Sequence, residues 1–172
     1  MQDTVATNRN IEDYLQRYAL PPWTELPEKE LYMEQVTTLV NKHLVGFSVG
    51  NKGALTATMI NNYVKAKIIP APVKKKYSRD CVAMLLVLVT LKPLFNIQEV
   101  SELIHYTIED HAVDKAYEFY RNTLGEAFRN VANKRPPEIH YQHDYKLIII
   151  ENVCAAIAYQ MDTRYRLKER RQ

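Results

Sequence analysis

The sequence predicts an all-α fold with at most a small wing, and three observations support this prediction. Apolar residues recur at helical spacing in segment after segment of the 172-residue chain. Glycine is scarce, at four residues, so few positions suit sharp turns. Strand signals are weak, and only the short segments IIPAP and KKKYS are candidates for pairing as a tiny ribbon.

An N-terminal arm is expected over residues 1–27. It holds a short helix candidate, Ile11 to Tyr18, and the segment LPPWTELP, whose prolines deny a helix and whose Trp23 is expected to anchor the arm. The next segment, EKELYMEQVTTLVNKHL, predicts an amphipathic helix, and a loop over 45–53 follows it. The side chains expected to face inward from this helix are Tyr32, Val36, Leu39, Val40 and Leu44.

A central domain is expected over residues 28–108, and its later part predicts three helices. The first spans 56–67, with Thr56 as its N-cap, and is ended by the prolines at 70 and 72. Its inward side chains are expected to be Met59, Ile60, Tyr63 and Val64. The second begins at Ser78 and runs through Leu91 or Lys92. The third begins with a capping box of Asn96 and Glu99.

A C-terminal helical pair is expected over residues 109–172, as a dimerisation or effector region. Asp110 is predicted to cap the first helix of the pair, and the last helix is predicted to run from about Asp144 toward Lys168. The side chains expected to face inward from the last helix are Ile148, Ile149, Val153, Ile157 and Met161.

Positive charge is concentrated in one window, from Asn51 to Arg79, which contains seven cations and no acid. Since the whole chain carries only +3, the remainder carries −4. A focused field of this kind attracts polyanions. For a run of three lysines alone, the simpler interpretation is a solvated loop. The same window also contains a capped helix and a proline turn, and this combination favours a binding surface.

The helix over 56–67 is expected to expose side chains that suit DNA. Asn can bond the N6 and N7 edge of adenine, and Thr can contact a thymine methyl group or a phosphate. The base-edge candidates are Thr58, Asn61 and Asn62. The phosphate candidates are Thr56, Lys65, Lys67, Lys74, Lys75, Lys76 and Arg79. Adjacent asparagines are usually a plain surface pair, but Asn is a mediocre helix former, so a binding role is favoured here.

The ordered motifs from Leu26 to Ile104 resemble the DNA-binding module of the MerR family. The matching pieces are Asn62-Tyr63, Ile68-Ile69-Pro70, the lysines 74–76, Tyr77-Ser78-Arg79-Asp80, and the segment from Leu94 to Val100. More closely, the chain resembles a bacterial family of unknown function built around this module, which shares LPEKELYMEQVTTLV and TMINNYVKAKIIPAPVKKKYSRD. The resemblance implies a winged helix-turn-helix. Two helices replace the long C-terminal helix of MerR regulators, so their promoter untwisting is not carried over.

Other chemistry finds little support in the sequence. Cys81 and Cys154 lie in apolar stretches. They are expected to be reduced core residues of a protein in a reducing compartment. His140 and His143 are three residues apart, but no third ligand has matching spacing, so a linker pair is favoured over a metal site. We expect no catalytic site, no cofactor, no signal peptide and no membrane span, and hence a cytoplasmic protein.

The sequence therefore predicts a sequence-specific DNA-binding protein and transcriptional regulator, acting on double-stranded DNA as a homodimer formed through the helices after Asp110. About five phosphate contacts per subunit predict a slope of log K against log salt of about −4 to −5. Tyr117, Tyr120, Tyr145 and Tyr159 are candidates for a small-molecule effector pocket, although packing is the commoner role of such residues. The alternative function is a helical interaction module whose basic face binds an acidic partner.

Overall fold

The computed structural model describes residues 11–47, 54–138 and 144–169, and within them the chain is mostly helical. The helices are α1 (Ile11–Arg17), α2 (Met33–His43), α3 (Ala57–Lys65), α4 (Arg79–Leu91), α5 (Ile97–Ile108), α6 (Val113–Ala132) and α7 (Tyr145–Glu169). The strands are β1 (Leu31–Tyr32) and β2 (Lys76–Tyr77). The predicted all-α class with at most a small sheet is confirmed.

The described chain forms two compact units. One is Leu20–Arg121, and the other combines the described parts of Met1–Ala19 and Asn122–Gln172. The expected boundaries at 27/28 and 108/109 divide the chain differently. The proline segment after Leu20 lies in the larger unit, together with the first part of α6.

Helix α4 is the buried centre of the larger unit. Ser78 begins it, as predicted, because its side chain accepts a hydrogen bond of 3.3 Å from the backbone N–H of Cys81. Of the thirteen α4 residues, ten are buried, so this helix is apolar on nearly all sides. Thr90 is a buried polar residue of α4, and its hydroxyl shares a hydrogen bond of 2.6 Å with that of Tyr120.

The predicted start of α5 is confirmed in detail. The side chain of Asn96 accepts from the N–H groups of Gln98 and Glu99, and the Glu99 carboxylate accepts from the Asn96 N–H at 2.8 Å. This reciprocal pair is the capping box that the sequence indicates.

The small sheet differs from the expected ribbon. β2 pairs with β1, with Leu31 opposite Tyr77, whereas IIPAP, residues 68–72, forms no strand. The single further bridge joins Val73, which follows IIPAP, to Lys76. Ile68 and Ile69 are buried, so their side chains are used for packing and not for a two-sided ribbon.

In the smaller unit, α7 begins as predicted and buries Val153 and Ile157 as predicted, but one of the expected inward side chains is exposed. Asp144 accepts from the N–H groups of Lys146 and Leu147 and therefore caps the helix. Ile149 was expected to face inward but is exposed. The buried residues of α7 are Ile150, Glu151, Val153, Cys154, Ile157 and Ala158.

Two further expectations about helix starts are wrong. The N-cap position of α6 is Ala112 and not Asp110, since the Ala112 carbonyl accepts from the N–H groups of Lys115 and Ala116. Tyr32 does not belong to the buried stripe of α2, since it precedes the helix and is exposed. The predictions for residues 1–10, for 48–53 and for His140 and His143 concern residues outside the described part of the chain. No described helix is long and apolar enough to cross a membrane.

Candidate nucleic-acid interface

Helix α3 presents one polar and one apolar face, as predicted. Ile60 and Tyr63 are buried, and Met59 and Val64 are half-buried. The exposed polar side chains on the opposite face are Thr58, Asn61, Asn62 and Lys65. They follow the spacing i, i+3, i+4 and i+7, which aligns them along one side of a helix. We call these four residues the polar ridge.

The N-terminus of α3 is held from two directions. Thr56 is its N-cap, as predicted, and accepts a hydrogen bond of 3.3 Å from the Met59 N–H. One residue earlier, the carboxamide of Asn41 in α2 pairs with the backbone of Leu55, accepting from its N–H and donating to its carbonyl, both at 2.8 Å. Asn41 therefore fixes α3 against α2. No local pattern in the sequence indicates this role of Asn41, because the contact spans fourteen residues.

The C-terminus of α3 lies two residues earlier than predicted, at Lys65. The N–H of Lys67 donates to Val64 and that of Ile68 donates to Tyr63, both at 3.0 Å, and Lys67 has a φ of 56°. This is a Schellman motif with lysine in the left-handed position that usually holds glycine. Lys67 therefore lies two residues after the end of α3, and its side chain is exposed there.

The lysine run forms the tip of a tight hairpin turn. Val73 and Lys76 exchange two backbone hydrogen bonds of 2.9 Å, and the residues between them, Lys74 and Lys75, have φ values of 49° and 65°. Positive φ at both central positions is the pattern of a type I′ turn, which favours Asn and Gly. Each left-handed lysine costs about 1 kcal/mol in backbone strain. Both side chains are exposed at this tip, which we call the wing tip.

Lys76 and Arg79 are directed toward the protein itself. The Lys76 Nζ lies 5.2 Å from the ring centroid of Tyr32, across the β1–β2 pair. The Arg79 guanidinium lies 4.8 Å from the Trp23 ring centroid and donates a hydrogen bond of 2.5 Å to the Trp23 carbonyl. These two predicted phosphate contacts therefore have intramolecular partners. Within the described residues, Lys65, Lys67, Lys74 and Lys75 form no ion pair.

The arm carrying Trp23 is fastened to α6 by side chains. The Tyr117 hydroxyl donates to the Pro21 carbonyl at 2.7 Å, and the Arg121 Nε donates to the Leu20 carbonyl at 2.8 Å. Glu118 accepts a short hydrogen bond from the Trp23 N–H. Trp23 is thus the anchor that the sequence predicts, and Arg79 connects it to the residues that follow the wing tip.

Burial beneath the interface changes several acid–base equilibria. It raises the pKa of Tyr63 to about 12. Burial, with a smaller effect of Asp80, also raises the pKa of the Cys81 thiol to about 12. Cys81 and Cys154 are buried free cysteines, as expected for core residues. None of these groups is suited to titrate near neutral pH, and Tyr63 and Cys81 are packing residues of the larger unit.

The four tyrosines considered for an effector pocket occupy different environments. Tyr117 and Tyr120 are buried and hydrogen-bonded within the larger unit. Tyr145 and Tyr159 are exposed residues of α7 in the smaller unit. Packing therefore accounts for Tyr117 and Tyr120.

Together, the larger unit is a small helical domain with an exposed polar helix and a lysine-tipped turn. The chain belongs to the family described as a domain of unknown function, DUF1836, which matches residues 21–123. The matched range nearly coincides with the compact unit Leu20–Arg121. The expected relation to a family of unknown function is thereby confirmed. Comparisons with curated proteins and with solved structures gave no match.

Proposed function

We propose that this protein is a sequence-specific DNA-binding protein and a transcriptional regulator with a MerR-like winged helix-turn-helix. The observation that carries the proposal is the polar ridge of α3, whose exposed face combines a threonine, two carboxamides and a lysine with no acid. An α-helix fits the major groove, where Asn and Thr can distinguish base pairs.

The residues divide into two roles under this proposal. Thr58, Asn61 and Asn62 contact base edges. The phosphate contacts come from Thr56, Lys65, Lys67, Lys74 and Lys75. Lys76 and Arg79 are reassigned to positioning, because each is already engaged with an aromatic ring of the protein.

Backbone strain at the wing tip supports this assignment. Asn and Gly would relieve the positive φ values at positions 74 and 75, yet lysine occupies both. Strained residues of this kind collect at functional sites, where another requirement outweighs stability. Here that requirement is two adjacent exposed ammonium groups for a DNA backbone.

We further propose that the protein acts as a homodimer through α7. Seven α7 residues spaced alternately four and three apart are all exposed: Tyr145, Ile149, Asn152, Ala156, Tyr159, Thr163 and Arg166. This average spacing of about 3.5 residues is the seam of a two-helix coiled coil, and four of the seven residues are apolar or aromatic. A second copy of α7 would cover them and provide the two-fold symmetry that helix-turn-helix proteins use.

Salt-dependent binding to double-stranded DNA tests the proposal. The four exposed unpaired lysines predict a slope of log K against log salt of about −3.6 per subunit, or roughly a 100-fold loss between about 50 and 200 mM salt. Fluorescence anisotropy with a labelled duplex measures it. No binding to duplex DNA at the lower salt concentration would refute the proposal.

The alternative, a module for an acidic protein partner, is favoured by one observation. The lysines at the wing tip carry no base specificity and would equally suit carboxylates. Capture of a protein partner that the substitution of Lys74 and Lys75 abolishes, together with no binding to duplex DNA, would support this alternative.

A further inference from the structure

Lys92 places a cation beside the polar ridge from a different helix. It directly follows α4, and its backbone N–H donates to the Leu88 carbonyl at 3.0 Å. Its side chain extends toward α3, where the Nζ lies 3.7 Å from the Met59 Sδ. Thirty-three residues separate the two, so no local pattern in the sequence indicates the contact.

The position of Met59 on α3 determines which side of the ridge Lys92 borders. At about 100° per residue, Met59 lies about 60° around the helix from Asn62 and is three positions before it. Residues three apart are neighbours on a helix surface. The Lys92 ammonium therefore lies at the Asn62 edge of the ridge.

The charge of Lys92 is not neutralised by this contact. Lys92 is exposed and forms no ion pair within the part of the chain that the structure describes. A thioether sulfur is only a weak acceptor and carries no charge. A cation at the end of α4 is favoured by the helix dipole, which accounts for a lysine at this position but not for its direction toward α3.

We infer that Lys92 is a further phosphate-contacting residue of the DNA interface, on the side of α3 where Asn62 lies. This inference rests on the proposed function. A helix in the major groove lies between two phosphate backbones, and contacts to both fix its register. Lys92 supplies such a contact from outside the acid-free window of residues 51–79.

Four proteins test the inference with one labelled duplex: wild type, Lys92→Gln, Lys92→Arg and Lys115→Gln. Lys115 is an exposed lysine of α6 in the same compact unit and loses the same charge in its variant. Lys92→Gln removes one phosphate contact. The magnitude of its slope of log K against log salt should therefore be smaller than that of the wild type by about 0.9. Lys92→Arg and Lys115→Gln are expected to keep the wild-type slope.

Thermal unfolding of the same proteins separates binding from folding: all four are expected to be folded under the binding conditions, with Lys92→Gln only slightly less stable because it loses a cation at the end of α4. A wild-type slope in Lys92→Gln would overturn the inference, as would an equal loss in Lys115→Gln. If instead the wild-type protein fails to bind the duplex, the proposed function itself fails. The two failures are therefore distinguishable.

Discussion

The guanidinium of Arg79 lies against the ring of Trp23 and donates a hydrogen bond to the carbonyl of the same residue. This pair links the proline arm to the start of α4, immediately after the wing tip and β2. A cation that looks like a phosphate contact in the sequence is thus part of the fold. Its charge is retained, but its direction is set by the arm.

Substitution of Arg79 is expected to reduce stability and to leave the salt dependence of DNA binding unchanged. A lysine side chain has no planar guanidinium, so it cannot both stack on the Trp23 ring and donate to the Trp23 carbonyl. Arg79→Lys should therefore lower the free energy of unfolding by about 2 kcal/mol. Urea unfolding measures the loss. A fully stable Arg79→Lys protein, together with a shallower salt slope in Arg79→Ala, would restore Arg79 as a phosphate contact.

Replacing the two strained lysines of the wing tip is expected to raise the free energy of unfolding and to lower the affinity for DNA. The double variant Lys74→Asn/Lys75→Gly suits the positive φ values, so its free energy of unfolding should rise by about 1–2 kcal/mol. Its affinity should fall for all DNA sequences, because two phosphate contacts are lost. Urea unfolding and anisotropy give the two values.

The matched control for the wing tip is Lys29→Asn, which removes an exposed lysine before β1. It should change neither quantity. A wing-tip double variant that binds DNA as tightly as the wild type would remove the turn from the interface.

Alkaline titration is expected to reveal the buried phenol of Tyr63. Burial raises its pKa from 10.0 to about 12, so the folded state holds the proton more tightly than the unfolded state. Ionisation of Tyr63 therefore leaves the free energy of unfolding unchanged below pH 10 and lowers it as the pH rises toward about 12, because the unfolded state loses its proton first.

Tyr63→Phe should make the decline in stability over this pH range shallower. At neutral pH it should be neutral or stabilising by up to about 1 kcal/mol, since the Tyr63 hydroxyl has no hydrogen-bond partner among the described residues. Urea unfolding from neutral to alkaline pH compares the two proteins. A large loss of stability at neutral pH in Tyr63→Phe would show that the hydroxyl has a partner.

The proposed dimer predicts that charges on the exposed face of α7 give a monomer. Ile149→Asp/Tyr159→Asp places four carboxylates in the two-helix seam while leaving the buried face of α7 intact. Sedimentation should show half the wild-type mass, and affinity for a two-half-site duplex should fall at least tenfold. His111→Asp, at an exposed position outside α7, is the control. An unchanged mass would place the dimer interface elsewhere or exclude it.

The helix starts that depend on neighbouring residues were predictable from the sequence. Thr56, Ser78, Asn96 and Asp144 each cap a helix through a side chain that accepts from an N–H two or three residues later. Such contacts are local, so the sequence contains the signal for them. The polar ridge of α3 was predictable for the same reason, since helical spacing alone separates its two faces.

Features that depend on distant partners were not predictable. The direction of Arg79 depends on the arm fifty-six residues away, and that of Lys92 on α3. Apolar residues lie on two sides of α7, so periodicity could not decide that Ile150 and not Ile149 is buried. The left-handed lysines of the wing tip contradict local preference, and only the backbone shows them.

Selection from random duplex DNA tests most directly whether α3 reads bases. The wild-type protein is expected to enrich one motif with two related half-sites. The Asn61→Ala/Asn62→Ala variant should bind with the same salt slope but lose preference at about two base pairs per half-site, at roughly 1–3 kcal/mol for each bidentate contact. No enrichment by the wild type, or the same motif from both proteins, would contradict the account.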